Sequence, residues 1–131
     1  MVRIAAAVIR DDGGRFLLVR KRGTSTFMQA GGKIEAGEQP FAALRRELAE
    51  ELDLAVEEGQ ARYLGRFAAE AANEPGHIVE ADLFDLPPCG PVTPGAEIEE
   101  VIWLMPSAPD LPPLAPLTRR HVLRLDDPPP G

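Results

Sequence analysis

The chain has 131 residues, 44% hydrophobic and 27% charged, which fits one globular domain and excludes both a disordered chain and a two-domain protein. A net charge of -7 excludes a broad basic surface that grips nucleic acid or anionic membrane directly, so polyphosphates are within reach only through divalent cations. The single Cys89 excludes an internal disulfide, and without a secretory leader or an apolar run of membrane-spanning length the expected location is the cytoplasm, with no membrane partner.

In chain order, residues 2–10 and 15–22 are β-like runs flanking Asp11-Asp12-Gly13-Gly14, a hairpin signal because the glycines permit positive φ. Residues 23–38 read as a glycine-containing loop interrupted by short extended pieces. Residues 39–53 give the clearest helix: Pro40 suits a first turn, and Phe41, Leu44, Leu48 and Leu52 recur at helical spacing as one apolar stripe. Residues 61–71 and 77–86 are two strands joined by the turn-rich Ala72–Gly76. A Pro/Gly-dense loop follows, then a strand over 97–105 expected to be largely buried, with Val101, Trp103 and Met105 alternating with Ile102 and Leu104. Residues 117–126 resemble a short final helix, and the rest is a frayed tail. This order suggests a mixed sheet held between helices, an α/β architecture.

Glu47, Glu50 and Glu51 fan over the helix side away from the apolar stripe, at spacings where like charges repel by a few tenths of a kcal/mol. A solvated helix face tolerates that, with Arg46 at i,i+4 to Glu50. Three features favour a ligand instead. A Gly-containing loop precedes the helix and allows close backbone approach. Glu38 stands at the helix start, where a carboxylate suits the dipole. Hard cations such as Mg²⁺ or Mn²⁺ want the several oxygen ligands that a carboxylate triad supplies. His77 and His121 lack convergent partners, and Cys89 in Leu86–Val92 has no nearby base.

Gly32, five residues, Glu38, seven residues, then Arg46-Glu47-Leu48-Ala49-Glu50-Glu51-Leu52-Asp53-Leu54 resembles the signature of the Nudix hydrolases. Asp53 stands where that family has glycine, a substitution made tolerable by aspartate's access to left-handed backbone. Ala30 stands where the family has proline, which implies a looser approach to the site. The resemblance implies an α/β/α sandwich with a mixed β-sheet between helices, with residues 1–125 as a single domain and 126–131 as a flexible C-terminal tail.

The resemblance further implies that Glu47, Glu50 and Glu51 hold Mg²⁺ or Mn²⁺, one of them serving as base, with Arg46 positioning them. Glu38 would make a weaker contact, Gly31 would offer a carbonyl, and Glu97 would add a later acid, with Glu100 as its alternative. Arg20, Lys21 and Arg22 are candidates for substrate phosphates; a solvated basic strand end is the competing reading. The implied reaction is hydrolysis of a nucleoside diphosphate linked to another moiety, a (deoxy)nucleoside triphosphate first. The alternative is a non-catalytic nucleotide sensor on the same fold. Residues Ala69, Glu70, Ala71 and Ala72 carry neither the proline nor the tyrosine that marks ADP-ribose or dinucleoside polyphosphate subfamilies. Phe27, Tyr63, Phe67 and Phe84 read chiefly as core, with base stacking as the alternative. Family members are often dimers, which implies a homodimer as a candidate assembly.

Overall fold

The Asp11–Gly14 turn forms where expected, yet the strands on either side of it part. In the computed structural model, which describes residues 1–72 and 75–125, β1 (Val2–Ile9) and β2 (Phe16–Lys21) touch through an isolated bridge between Arg10 and Phe16. The expected hairpin is therefore corrected to a turn that feeds two sheets. The reason is that both strands are apolar on two faces and each finds a longer partner elsewhere. β1 registers with β5 (Ile78–Leu86) in parallel from Val2–Val79 to Ile9–Leu86. β2 runs antiparallel to β6 (Ile98–Leu104) from Phe16–Leu104 to Lys21–Ile98.

β3 (Gly31–Lys33) adds to β1, and β4 (Arg62–Glu70) adds to β5, both antiparallel, giving a mixed sheet in the order β3-β1-β5-β4. The β4–β5 pair matches the expectation from its two runs and turn; Asn73 and Glu74 within that turn lie outside the described residues.

Side chains alternate across the sheet. Ala5, Ala7 and Ile9 enter one core with Leu17 and Val19, beneath α1 (Pro40–Leu52); Ala6 and Val8 enter a second core with Phe16, Leu18 and Leu83, beneath α2 (Pro116–Arg120). Leu44, Leu48 and Leu52 of the predicted stripe are fully buried, and Phe41 is half-buried against the same core. The sandwich of helix, sheet and helix is thus present. No helix among the described residues is long and apolar enough to cross a membrane.

Two expectations need revision. The run over 97–105 is less buried than its composition suggests: Trp103 is 37% exposed and Met105, just past the end of β6, 38%, and among the described residues β6 pairs with β2 alone. The final helix is shorter: α2 stops at Arg120, His121 departs to φ -120°, and a 3-10 turn follows at Val122–Arg124. The rest of the expected segment, with the tail 126–131, lies outside the described residues.

α1 ends on Asp53 in a left-handed conformation, φ 55° and ψ 38°, which sends the Asp53 N–H to the Ala49 carbonyl and the Leu54 N–H back to Leu48. An L-residue there carries a steric cost that glycine escapes. Asp53→Gly is expected to stabilise the protein by about 0.5–1 kcal/mol, less than the full penalty because glycine also loosens the unfolded chain. Urea unfolding of the two proteins measures it.

Candidate active site

The short β3 strand lies between β1 and α1, and this position organises the acidic cluster. Gly31 adopts φ 151°, and a Cβ there would overlap the Ala5 carbonyl oxygen and the Ala6 Cα. Only a bare Cα lets the strand pass so close to β1. The next residue, Gly32, faces the helix instead, and a Cβ on it would overlap the Glu47 carboxyl group. The two glycines therefore serve different neighbours: Gly31 the sheet, Gly32 the carboxylate. Ala30, just before them, is buried, and its carbonyl accepts the Ala7 N–H at 2.9 Å.

Glu51 does not fan out to solvent with its neighbours. It turns inward and is 4% exposed, its Oε1 accepting the Gly31 N–H at 3.0 Å and its Oε2 lying 3.7 Å from the Lys21 ammonium. Burial pushes its pKa up to about 7, against the pull of the Gly31 N–H and Lys21, with the charge of Glu47 adding to the rise.

Arg46 organises the other side. Its Nε and Nη2 fork onto Glu38 at 3.0 and 2.9 Å, Nη1 reaches Glu47 Oε1 at 2.7 Å, and Nη2 also meets the Lys33 carbonyl at 3.1 Å. The Glu38 hydrogen bonds, then those of Glu47, raise the guanidinium pKa further. Glu38 in turn is held below the usual carboxylate range by Arg46 first and the Glu35 N–H second. Glu38 precedes the N-cap residue Gln39 and acts as the clamp of Arg46.

Glu50, next to Glu51 and about one turn from Glu47, is exposed, and its carbonyl lies against Gly95. The segment around Gly95 docks on the end of α1: Thr93 N–H donates to the Leu52 carbonyl at 3.0 Å and Gly95 N–H to that of Glu51 at 2.8 Å. This brings the Glu97 backbone near the site, where its carbonyl accepts the Arg22 N–H, while the Glu97 side chain is exposed. Glu100 pairs with Arg20 at 3.2 Å, and Arg22 pairs with Glu99 and the Ala96 carbonyl. The two arginines thus answer acids of β6. The lysine between them faces Glu51, because the register shifts at Arg20/Lys21 and the strand alternates sides.

Among the described residues, no three His, Cys, Asp or Glu side chains converge closely enough to hold an ion as they stand. The cause is electrostatic: like-charged groups at i,i+3 and i,i+4 repel, and Glu47 and Glu51 are each turned to a cation or N–H donor of the protein. The donor chemistry nonetheless fits a hard divalent cation. The helix carries three carboxylates within five positions, Glu51 bonded to Gly31 and Glu47 in the space that the bare Cα of Gly32 leaves. Arg46→Lys removes the fork that steers Glu47 and Glu38 while keeping the charge. Mn²⁺ binding is expected to weaken about 10–100-fold with the fold intact, as read from electron paramagnetic resonance titration.

Beside this edge opens a cavity of about 170 Å³ that runs from Lys21, Gly31 and Gly32 to Gln29 and Thr118, with Ile4 among its apolar walls. Sequence reasoning did not reach Gln29 or Thr118, since nothing local links residues so far apart. It also passed over Asp82, a carboxylate 1% exposed that accepts from Tyr63 at 2.6 Å, Arg66 at 3.2 Å and Arg3 at 3.3 Å. Its position inside the apolar run of β5 was the available signal. His121 is half-buried, its Nε2 3.1 Å from the Ala68 carbonyl and its ring against Phe67, a structural placement.

The chain is similar to known proteins in sequence and in fold. CTP pyrophosphohydrolase of Escherichia coli is 30% identical over 120 residues, covering 88% of this chain and 84% of that protein. An 8-oxo-dGTP diphosphatase of Haemophilus influenzae is 38% identical over 58 residues, 41% of this chain and 43% of that relative's length. The crystal structure of a MutT NUDIX hydrolase from Burkholderia pseudomallei superposes with a TM-score of 0.77 at 27% identity, over 94% of this chain and 95% of that one. The NUDIX domain profile itself matches residues 1–125. With the signature helix, its glycine edge and the sandwich around them all in place, the chain belongs to the NUDIX domain family.

Proposed function

We propose that the protein hydrolyses the pyrophosphate linkage of a nucleoside diphosphate joined to another moiety, with a (deoxy)nucleoside triphosphate as the first candidate. The observation that carries this reading is the pairing of Gly31 with Glu51 and of Gly32 with Glu47 at the mouth of a cavity. The names of the relatives, which act on CTP and 8-oxo-dGTP, agree with a nucleotide substrate.

Glu47, Glu50 and Glu51 would hold Mg²⁺ or Mn²⁺, with the Gly31 carbonyl as a backbone donor. When bound, such an ion neutralises the anhydride oxygens and acidifies water. The protein's own groups supply the rest. Arg46, clamped by Glu38, fixes the Glu47 carboxylate. Glu51, turned inward beside Gly31 and Lys21, would accept the proton of the attacking water. Lys21, beside Glu51 at the cavity, would meet a substrate phosphate, and its attraction to anions keeps it within reach. Water attacks phosphorus directly, so no covalent enzyme intermediate is required.

A panel of nucleoside triphosphates and nucleotide sugars, assayed with Mg²⁺ or Mn²⁺ and with chelator, tests the reading. Cation-dependent release of a mononucleotide is the expected result. Tight nucleotide binding without turnover across the panel would favour the non-catalytic sensor.

A further inference from the structure

Gln29, which lines the cavity beside Gly31 and Gly32, carries a polar group left unanswered among the described residues. Gln29 is 6% exposed and lines this space, yet its Nε2 is buried with no hydrogen-bond partner. The other end of the same amide is held: Thr118, itself fully buried on α2, donates its hydroxyl to Gln29 Oε1 at 3.0 Å. A buried donor with no acceptor is unfavourable, and native proteins rarely keep one without a use. The cavity's walls include Ile4, Met28 and Leu117, and beside this amide Thr118, Lys21, Lys33 and Glu70 also line it. Its volume of about 170 Å³ exceeds the roughly 150 Å³ that suffices for a benzene ring.

We infer that Gln29 is the specificity-determining residue for the substrate's ring. Its amide N–H donates to an acceptor, a carbonyl oxygen or an unprotonated ring nitrogen, on the edge of a nucleobase seated in this cavity. In this arrangement the Thr118 hydroxyl takes Oε1, and Nε2 is the end of the amide left for an acceptor on the ligand. A site built around one hydrogen bond discriminates in this way because the mismatched ligand leaves two buried groups unpaired. This inference rests on the proposed nucleotide reading and names the base edge which that reading leaves open.

The test is equilibrium binding, by calorimetry, of the four common 5′-nucleoside monophosphates and of ribose 5-phosphate, to wild type, Gln29→Met and Thr118→Val. Methionine keeps the side-chain volume and removes the donor. Wild type is expected to rank the bases, and Gln29→Met to bind its preferred nucleotide about 10- to 100-fold more weakly while binding ribose 5-phosphate equally. Thr118→Val, which frees the amide to turn over, is expected to fold normally and to admit bases of the opposite edge, compressing the ranking. An unchanged ranking in both variants overturns the inference, as does an equal loss for nucleotides and ribose 5-phosphate or the failure of wild type to bind any mononucleotide. The same proteins are assayed for turnover. Base-selective binding that depends on Gln29, with no hydrolysis of any nucleotide, would sink the enzymatic reading and leave this one standing; hydrolysis blind to Gln29 would do the reverse.

Discussion

Glu51→Gln is expected to lower kcat by about 10²–10⁴-fold, the range general-base removal produces, while the protein folds and gains stability above neutral pH. Glutamine keeps the shape and still accepts the Gly31 N–H, so the helix and β3 keep their contact. It loses the proton acceptor and an anionic ligand. The stability effect follows from burial. The folded-state pKa of about 7 stands above the ordinary 4.5, so the folded protein binds the extra proton between those values. Stability from this group is therefore full below about pH 4.5 and is lost as pH rises through about 7. In chelator, the difference between variant and wild type should widen over that window by roughly 3 kcal/mol in favour of the variant, since one pKa unit corresponds to about 1.4 kcal/mol. Urea unfolding at pH 4.5 and pH 8 measures it, and a pH-independent difference would remove the buried carboxylate from the account.

The second expected result separates the adjacent glycines. Gly32→Ala should leave stability within about 1 kcal/mol of wild type, because the group that must yield is the end of a flexible glutamate side chain. Activity should fall about 10²-fold, since a displacement near 1 Å in a reacting group costs that much and Glu47 has to leave its place beside Arg46. Gly31→Ala should behave in the opposite manner. Its new methyl meets backbone of β1, which cannot swing aside, and its φ of 151° is strained for any L side chain. A loss of roughly 2–4 kcal/mol is expected, from strain and the disturbed β1–β3 pairing. Thermal unfolding and steady-state kinetics on both variants distinguish the two roles.

Much of this architecture is readable from local chemistry. Pro40 and the stripe of Phe41, Leu44, Leu48 and Leu52 define α1 within a residue, and the turn-flanked runs define β4 and β5. The acidic signature also identifies its helix, because the spacing of Gly32, Glu38 and Arg46–Glu51 is local. What escapes are the relations set by distant partners. β1 and β2 look like a hairpin until their longer ladders with β5 and β6 are known. Trp103 looks buried until β6 proves to have one strand neighbour. A register shift after Arg20 turns Lys21, and neither arginine, toward Glu51. Helical spacing places Glu51 with Glu47 and Glu50, but only the packing of β3 against α1 shows it turned inward. Glu38 appears as a dipole partner in the sequence and as the clamp of Arg46 in the fold, its two hydrogen bonds reaching the guanidinium eight residues along the chain.

The central claim is that Glu47, Glu50 and Glu51 together take a divalent cation at the glycine edge. Titration of Mn²⁺ followed by electron paramagnetic resonance, on wild type and on Glu47→Gln, Glu50→Gln and Glu51→Gln, tests it without reference to any substrate. The account predicts bound Mn²⁺ on the wild-type protein and an affinity weakened by at least about tenfold in each variant. Mn²⁺ bound equally well by all four proteins, or not bound by the wild type, would contradict it.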